Sequence, residues 1–135
     1  MAYIQLRYYQ MYKQILIMAA LSGGLAVGLG AFGAHALKGI LESNQRVDTY
    51  ELASRYQFYH SLALLGLGIL AFHLQTRYLL YSAYSFLLGI LIFSGSLYIL
   101  ALTNKTWLGA ITPLGGVALI LGWVFLLMGV YQNSN

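Results

Sequence analysis

The sequence has no cysteine, a single proline and very little charge: three acidic and seven basic side chains among 135 residues. Without cysteine there can be no disulfides, zinc–thiolate sites, iron–sulfur clusters or thiol chemistry. One proline and no polar low-complexity tract leave no interdomain linker, so the chain is read as one domain. Charged residues make up 7% of it, against about 25% in an ordinary soluble domain. With 60% hydrophobic residues, such a chain could not cover its surface in water. Lipid solvates that exterior without cost.

What is present is four long stretches free of Lys, Arg, Asp and Glu: Gln14 to Leu37, Tyr56 to Thr76, Tyr78 to Asn104, and Thr106 onward. Each reaches the roughly 20 apolar residues that a membrane-crossing helix needs. The expected fold is therefore an all-α membrane protein, a bundle of four antiparallel transmembrane helices in one domain over residues 14–135. The spans are expected near residues 14–37, 52–76, 78–102 and 106–131. Residues 1–13, with Tyr3, Tyr8, Tyr9 and Tyr12, read as an interfacial lead-in, because tyrosine prefers the headgroup region. Lys38 to Ser54 holds every acid in the chain and suggests a short amphipathic segment between helices 1 and 2. Asp48 or Thr49 is expected to cap the second helix, and Glu51 to pair with Arg55 one turn on. Thr112 and Pro113 suit a helix start, so Thr106 to Ile111 reads as a separate interfacial turn or as one side of a kink.

The seven basic residues lie at or near the ends of apolar runs, as interfacial anchors do, which argues against nucleic acid as a partner. Arg7 and Lys13 ahead of a run ending in Ala34-His35-Ala36 resemble a secretory signal, but the run is too long for a signal's apolar core. An even number of spans puts both termini on one side. Counting Lys and Arg gives a weak lean towards the cytoplasm.

Small residues crowd the first span. Gly24 and Gly28 form a GxxxG pair, and Gly30 and Gly33 follow; Gly89 with Ser82, Ser85 and Ser96 marks a second seam, and Pro113, Gly115 and Gly116 are further helix-packing positions. In lipid no hydrophobic force draws helices together, so close backbone approach does that work. Tight packing is the plain reading of these positions.

Two histidines invite a chemical reading. At about 1.5 Å per residue, His35 lies roughly 4.5 Å deeper than Lys38, and His60 roughly 7.5 Å deeper than Arg55. On antiparallel helices the two rings could meet at one level. Bis-histidine haem ligation is then conceivable, with the glycine wall making room. A structural hydrogen bond between helices is the plainer use of such a ring. The candidate ligand set is His35, Lys38, Arg55, Tyr56, Gln57 and His60. No nucleophile–base set or phosphate loop is present, so no enzyme activity is expected and no resident metal or cofactor beyond the haem alternative. His73, about 20 Å from His60, reads as interfacial.

Three segments together resemble a known family. Gly30-Ala31-Phe32-Gly33-Ala34-His35-Ala36-Leu37-Lys38, Arg55-Tyr56-Gln57-Phe58-Tyr59-His60, and Thr112-Pro113-Leu114-Gly115-Gly116 followed by Gly122-Trp123 are similar to the small bacterial inner-membrane proteins grouped with eukaryotic transmembrane protein 256. The likeness runs from the first span nearly to the end of the chain; the Tyr-rich start is longer than the family pattern. It implies a multi-span protein of the bacterial cytoplasmic membrane, or of an organelle membrane in eukaryotes, and no activity. The leading expectation is a small accessory or scaffold protein working through helix–helix contacts, as a homo-oligomer or as a subunit of a larger complex. The alternative is a ligand-, lipid- or ion-handling protein centred on the histidine set.

Overall fold

A computed structural model describes residues 2–132, with side chains from residue 9 onward. The side chains of Tyr3, Arg7 and Tyr8, expected at the interface, lie outside the described residues. Every described element is helical. α1 (Ala2–Ala34) is followed by a short α2 (Lys38–Ser43) and by α3 (Val47–Leu70). α4 (Arg77–Gly89) passes through a π-turn (Ile90–Ser94) into α5 (Gly95–Thr103). A 3-10 turn (Thr106–Ala110) then leads to α6 (Thr112–Gln132). Three helical stretches are long and apolar enough to cross a membrane: Tyr9–Ala34, Arg77–Thr103 and Thr106–Gln132.

α3 falls outside that group for a reason visible in its sequence. Residues 50–60 of it carry Arg55, Gln57, His60 and three tyrosines, which lower its apolar character without shortening it. Gln57, His60 and Ser61 are buried against other helices. The helix that is polar by composition is therefore polar on its inner side.

The helices form two close antiparallel pairs, α1 with α3 and α4 with α6, and the α3 face towards the π-turn and α5 joins them. Ile15, Leu64, Leu67, Leu79 and Phe86 form the fully buried centre. Small residues set the spacing between helices. A Cβ at Gly115 would lie 2.7 Å from Phe93 Cα, and one at Gly122 or Gly89 would strike Phe86 or Leu119. Ser82 Oγ donates to the Gly122 carbonyl at 2.7 Å, tying α4 to α6. The outward faces are the reverse: Leu91 is 72% and Leu127 68% exposed, which suits lipid and not water.

Several local expectations shift. The first helix ends at Ala34 rather than Leu37; Leu37 N–H turns back to the Phe32 carbonyl at 2.9 Å. α3 begins at Val47 with Arg46 at the N-cap and no side-chain cap bond, so Asp48 and Thr49 lie inside its first turn instead of capping it. The second span closes at Leu70, not at residue 76, and residues 71–76 form the connection, with Thr76 capping α4 through Tyr78 N–H. Thr112 Oγ1 donates to the Leu108 carbonyl, so the 3-10 turn is stitched to the first residue of α6 just ahead of the proline. Ser94, inside the π-turn, has a buried hydroxyl with no partner among the described residues.

Candidate functional site

Tyr50, Ser54, Gln57 and Ser61 are spaced four, three and four apart, which puts them on one stripe of α3. That stripe faces the small-residue side of α1. Tyr50 hydroxyl donates to the Leu29 carbonyl at 2.9 Å, Ser54 Oγ to the Ala26 carbonyl at 3.1 Å, and Gln57 Nε2 to the Ser22 carbonyl at 3.0 Å. Ser61 Oγ lies 2.7 Å from Ser22 Oγ. The result is a ladder of side chains resting on the backbone of the neighbouring helix. Gly33 and Gly30 permit it: a Cβ at Gly33 would strike the Tyr50 ring, and one at Gly30 would lie 3.0 Å from Ser54 Oγ. The other end of the Gln57 amide accepts from Tyr98 hydroxyl at 2.9 Å, so this candidate ligand is used at both ends.

His60 is turned elsewhere. It precedes Ser61 by one residue, and about 100° of helical rotation carries it off the α1-facing stripe. Its ring is 6% exposed and packs beside Phe86 and Trp123. Nδ1 lies 2.8 Å from the Tyr56 carbonyl, and Trp123 Nε1 donates to Nε2 at 3.3 Å. These partners fix the neutral ring with its proton on Nδ1, so both nitrogens are engaged. His35 is exposed in the turn after α1. The expectation that the two rings meet at one level fails: Gly23 faces Ser61 and Gly30 faces Ser54, so His60 sits level with the middle of α1, roughly 16 Å along the axis from His35. No paired axial set for a haem is formed between them. Tyr56 stacks on Phe93 with centroids 4.7 Å apart, and His73 is exposed in the turn after α3.

Lys38 and Arg55 belong to a different constellation. They border a cleft of about 430 Å³ between the end of α1, α2 and the start of α3. Gly30, Gly33 and Ala34 form its bare α1 wall, Tyr50 and Ser54 its α3 wall. Glu42 and Glu51 complete the charged mouth. Lys38 Nζ is 3.8 Å from Glu42 Oε1 and Arg55 Nη2 is 3.6 Å from Glu51 Oε2, each pair within one helix. All four side chains are 56–64% exposed, so these pairs are weak and open to exchange. Among the described residues, no three His, Asp or Glu side chains group as a metal site. His35, Tyr56, Gln57 and His60 lie outside the cleft lining.

α2 is held in place by its neighbours. Leu41 is buried with Tyr50 and Ala101. Asn44 Nδ2 donates to the Ala101 and Leu102 carbonyls at 3.0 and 3.1 Å, closing the end of α5. Arg46 Nε donates to Asn104 Oδ1 at 3.0 Å, where Asn104 ends that helix in the left-handed region. The cleft thus has a fixed floor on three sides.

Of the packing glycines, Gly30, Gly33, Gly89 and Gly115 abut a neighbouring helix, and Gly116 makes ordinary contact with the Phe93 ring. Pro113 lies in the first turn of α6. Gly24 and Gly28 meet nothing within 4 Å. Sequence reasoning missed Trp123 as the partner of His60, and Glu42, Glu51, Tyr50 and Ser54 as cleft residues. The spacing of 50, 54, 57 and 61 was the available signal for the ladder.

Residues 29–116 match a family described as protein of unknown function (DUF423). The chain is 44% identical over 120 residues to UPF0382 membrane protein SSP2132 of Staphylococcus saprophyticus, covering 89% of this chain and 98% of that one. It is 42% identical over 121 residues to UPF0382 membrane protein YwdK of Bacillus subtilis, 89% of this chain and 98% of the other. A UPF0382 membrane protein of Haemophilus influenzae is 37% identical over 125 residues, 93% and 99% of the two chains. No solved structure matches.

Proposed function

The chain belongs to the DUF423 family of bacterial membrane proteins of unknown function, and from that premise we propose that it binds a charged amphiphile at one membrane surface, in the cleft between α1, α2 and α3. The observation that carries this reading is the cleft itself. Its volume falls in the range of about 300–1,000 Å³ typical of small-ligand sites. Its mouth holds four loosely paired charges, and its walls are backbone, a hydroxyl and an aromatic ring. The role is binding and presentation, with no bond made or broken.

The same reading makes α3 a fourth crossing. Its 24 residues extend about 36 Å, longer than the roughly 30 Å hydrocarbon core. Its hydrogen-bonding side chains face α1, α5 and α6. With four crossings, the cleft and the connection at residues 71–76 lie on opposite surfaces of the bacterial cytoplasmic membrane, both termini on the side away from the cleft. The likeness to transmembrane protein 256 would extend the site to organelle membranes. A photoactivatable phospholipid tests the proposal. Label is expected on peptides spanning residues 30–55; label spread evenly over the outward faces of α4 and α6 would count against it.

A second reading, an accessory or scaffold role through helix contacts, is favoured by one observation. Gly24 and Gly28 lie uncovered on α1 beside Leu21 and Leu25, both over 60% exposed. Gly24→Leu should dissolve any complex seen on mild-detergent gels. A protein that is monomeric before the change removes this reading.

A further inference from the structure

The charges at the cleft mouth select among amphiphiles, and this inference rests on the cleft reading above. Two cations, Lys38 and Arg55, stand with two anions, Glu42 and Glu51. The site is therefore neutral overall while carrying separated charge of both signs. We propose that it takes the zwitterionic phosphoethanolamine headgroup of a membrane phospholipid in preference to an anionic phosphoglycerol headgroup.

Each ion pair links residues four apart on one helix, at 3.8 and 3.6 Å, with more than half of every side chain exposed. Pairs of that length and exposure hold their partners weakly, so a ligand can replace either contact at little cost. A phosphate would be gripped by the Arg55 guanidinium, whose planar fork matches two oxygens at once, with Lys38 as a second positive charge. The same phosphate faces the carboxylates of Glu42 and Glu51, which repel an anionic ligand. A primary ammonium two carbons away from the phosphate turns that repulsion into attraction, because it can donate hydrogen bonds to both carboxylates. Phosphoglycerol carries no cation to offer them. Phosphocholine carries one, but its quaternary nitrogen has no N–H to donate.

The position of the cleft fits a headgroup. It lies where α1 ends and α3 begins, beside the charged α2 segment, so its mouth is at headgroup level in the four-crossing arrangement. Tyr50 and Ser54 pack directly against Gly33 and Gly30 with their hydroxyls engaged on α1 carbonyls, so they form a closed back wall and the headgroup sits at the charged mouth.

The test is native mass spectrometry of the full-length protein in detergent, titrated with dioleoyl phosphatidylethanolamine, phosphatidylglycerol and phosphatidylcholine. The wild type should retain the ethanolamine lipid about tenfold better than either other, the effect of one or two charge-assisted hydrogen bonds. Glu42→Gln with Glu51→Gln should abolish that preference or reverse it towards phosphatidylglycerol. Thermal stability should hold, because all four side chains are exposed. Equal retention of ethanolamine and glycerol lipids by the wild type, or an unchanged preference in the glutamine variant, overturns the headgroup assignment. If Lys38→Gln with Arg55→Gln still lowers retention of every phospholipid in that case, the broader cleft reading stands. If that variant retains lipid as the wild type does, the cleft reading fails as well. Free O-phosphoethanolamine is the control for a soluble ligand: binding as tight as the lipid's would overturn a lipid as the occupant.

Discussion

Replacing Gln57 by Leu separates a structural role for this residue from a ligand role, and the structure fixes the expected magnitude. Two hydrogen bonds are lost. The bond from Nε2 to the Ser22 carbonyl crosses between helices, and such bonds average about 0.6 kcal/mol in membranes. The Ser22 carbonyl keeps the helical N–H four residues on, so it is not orphaned. Tyr98 loses more, because its hydroxyl donates to Oε1 from a half-buried position. A buried donor left without a partner costs about 1–3 kcal/mol. Ser54 is another polar neighbour of that hydroxyl, which favours the lower half of the range. Leu matches Gln in shape, so no cavity is added. Together the loss is about 2 kcal/mol. Tyr98→Phe should cost about 1–2 kcal/mol by stranding Oε1. The double variant removes both partners at once and should return to within about 1 kcal/mol of the wild type. The assay is a double-mutant cycle by SDS titration in mixed micelles, followed by circular dichroism. A double variant whose loss equals the sum of the singles would refute the pairing.

Other outcomes follow from single contacts. Gly115→Ala sets a Cβ against the backbone of Phe93 and should cost about 2 kcal/mol or more in the same titration, whereas Gly24→Ala meets nothing and should be neutral or mildly stabilising. Ser94→Ala deletes a buried hydroxyl with no partner and should leave stability unchanged or raise it by about 1 kcal/mol; a clear loss would mean that the hydroxyl is bonded. With both nitrogens of His60 engaged, purified protein should show no Soret band even after incubation with haem, and a band that disappears in His60→Gln would contradict the assignment. Because the chain has no cysteine, Ser43→Cys and Gln75→Cys give clean topology probes. They should react with an impermeant maleimide from opposite sides of the membrane, and same-side labelling would exclude α3 as a crossing.

The helical class and the outer limits of most elements were legible because charge-free runs of this length leave few alternatives. The existence and length of α3 were legible from its flanking charges, although its composition does not place it among the helices apolar enough to cross. The cleft was half legible. Lys38 and Arg55 stand at the ends of apolar runs and were readable as a pair, but Glu51 read only as a surface partner of Arg55 and Glu42 only as part of the polar segment. His60 was misplaced for a geometric reason: the depth count took Lys38 and Arg55 as level, whereas the α1–α3 register, with Gly30 against Ser54 and Gly23 against Ser61, is set by which small residues pack and cannot be counted from the flanking charges. Trp123 could not be paired with His60 without knowing that its side chain reaches from α6 to that face of α3. The GxxxG pair was a similar trap, since small residues license close packing without saying on which side it occurs. The spacing of Tyr50, Ser54, Gln57 and Ser61 did carry the ladder, and only its partner helix was hidden.

The central claim is that the cleft bordered by Lys38 and Arg55 holds a phospholipid headgroup. The most direct measurement is the number of phospholipids that survive detergent exchange and gas-phase activation on the wild type and on Lys38→Gln with Arg55→Gln. One tightly retained lipid is expected on the wild type and none on the variant, at equal folded fraction. Identical retention by the two proteins would contradict it.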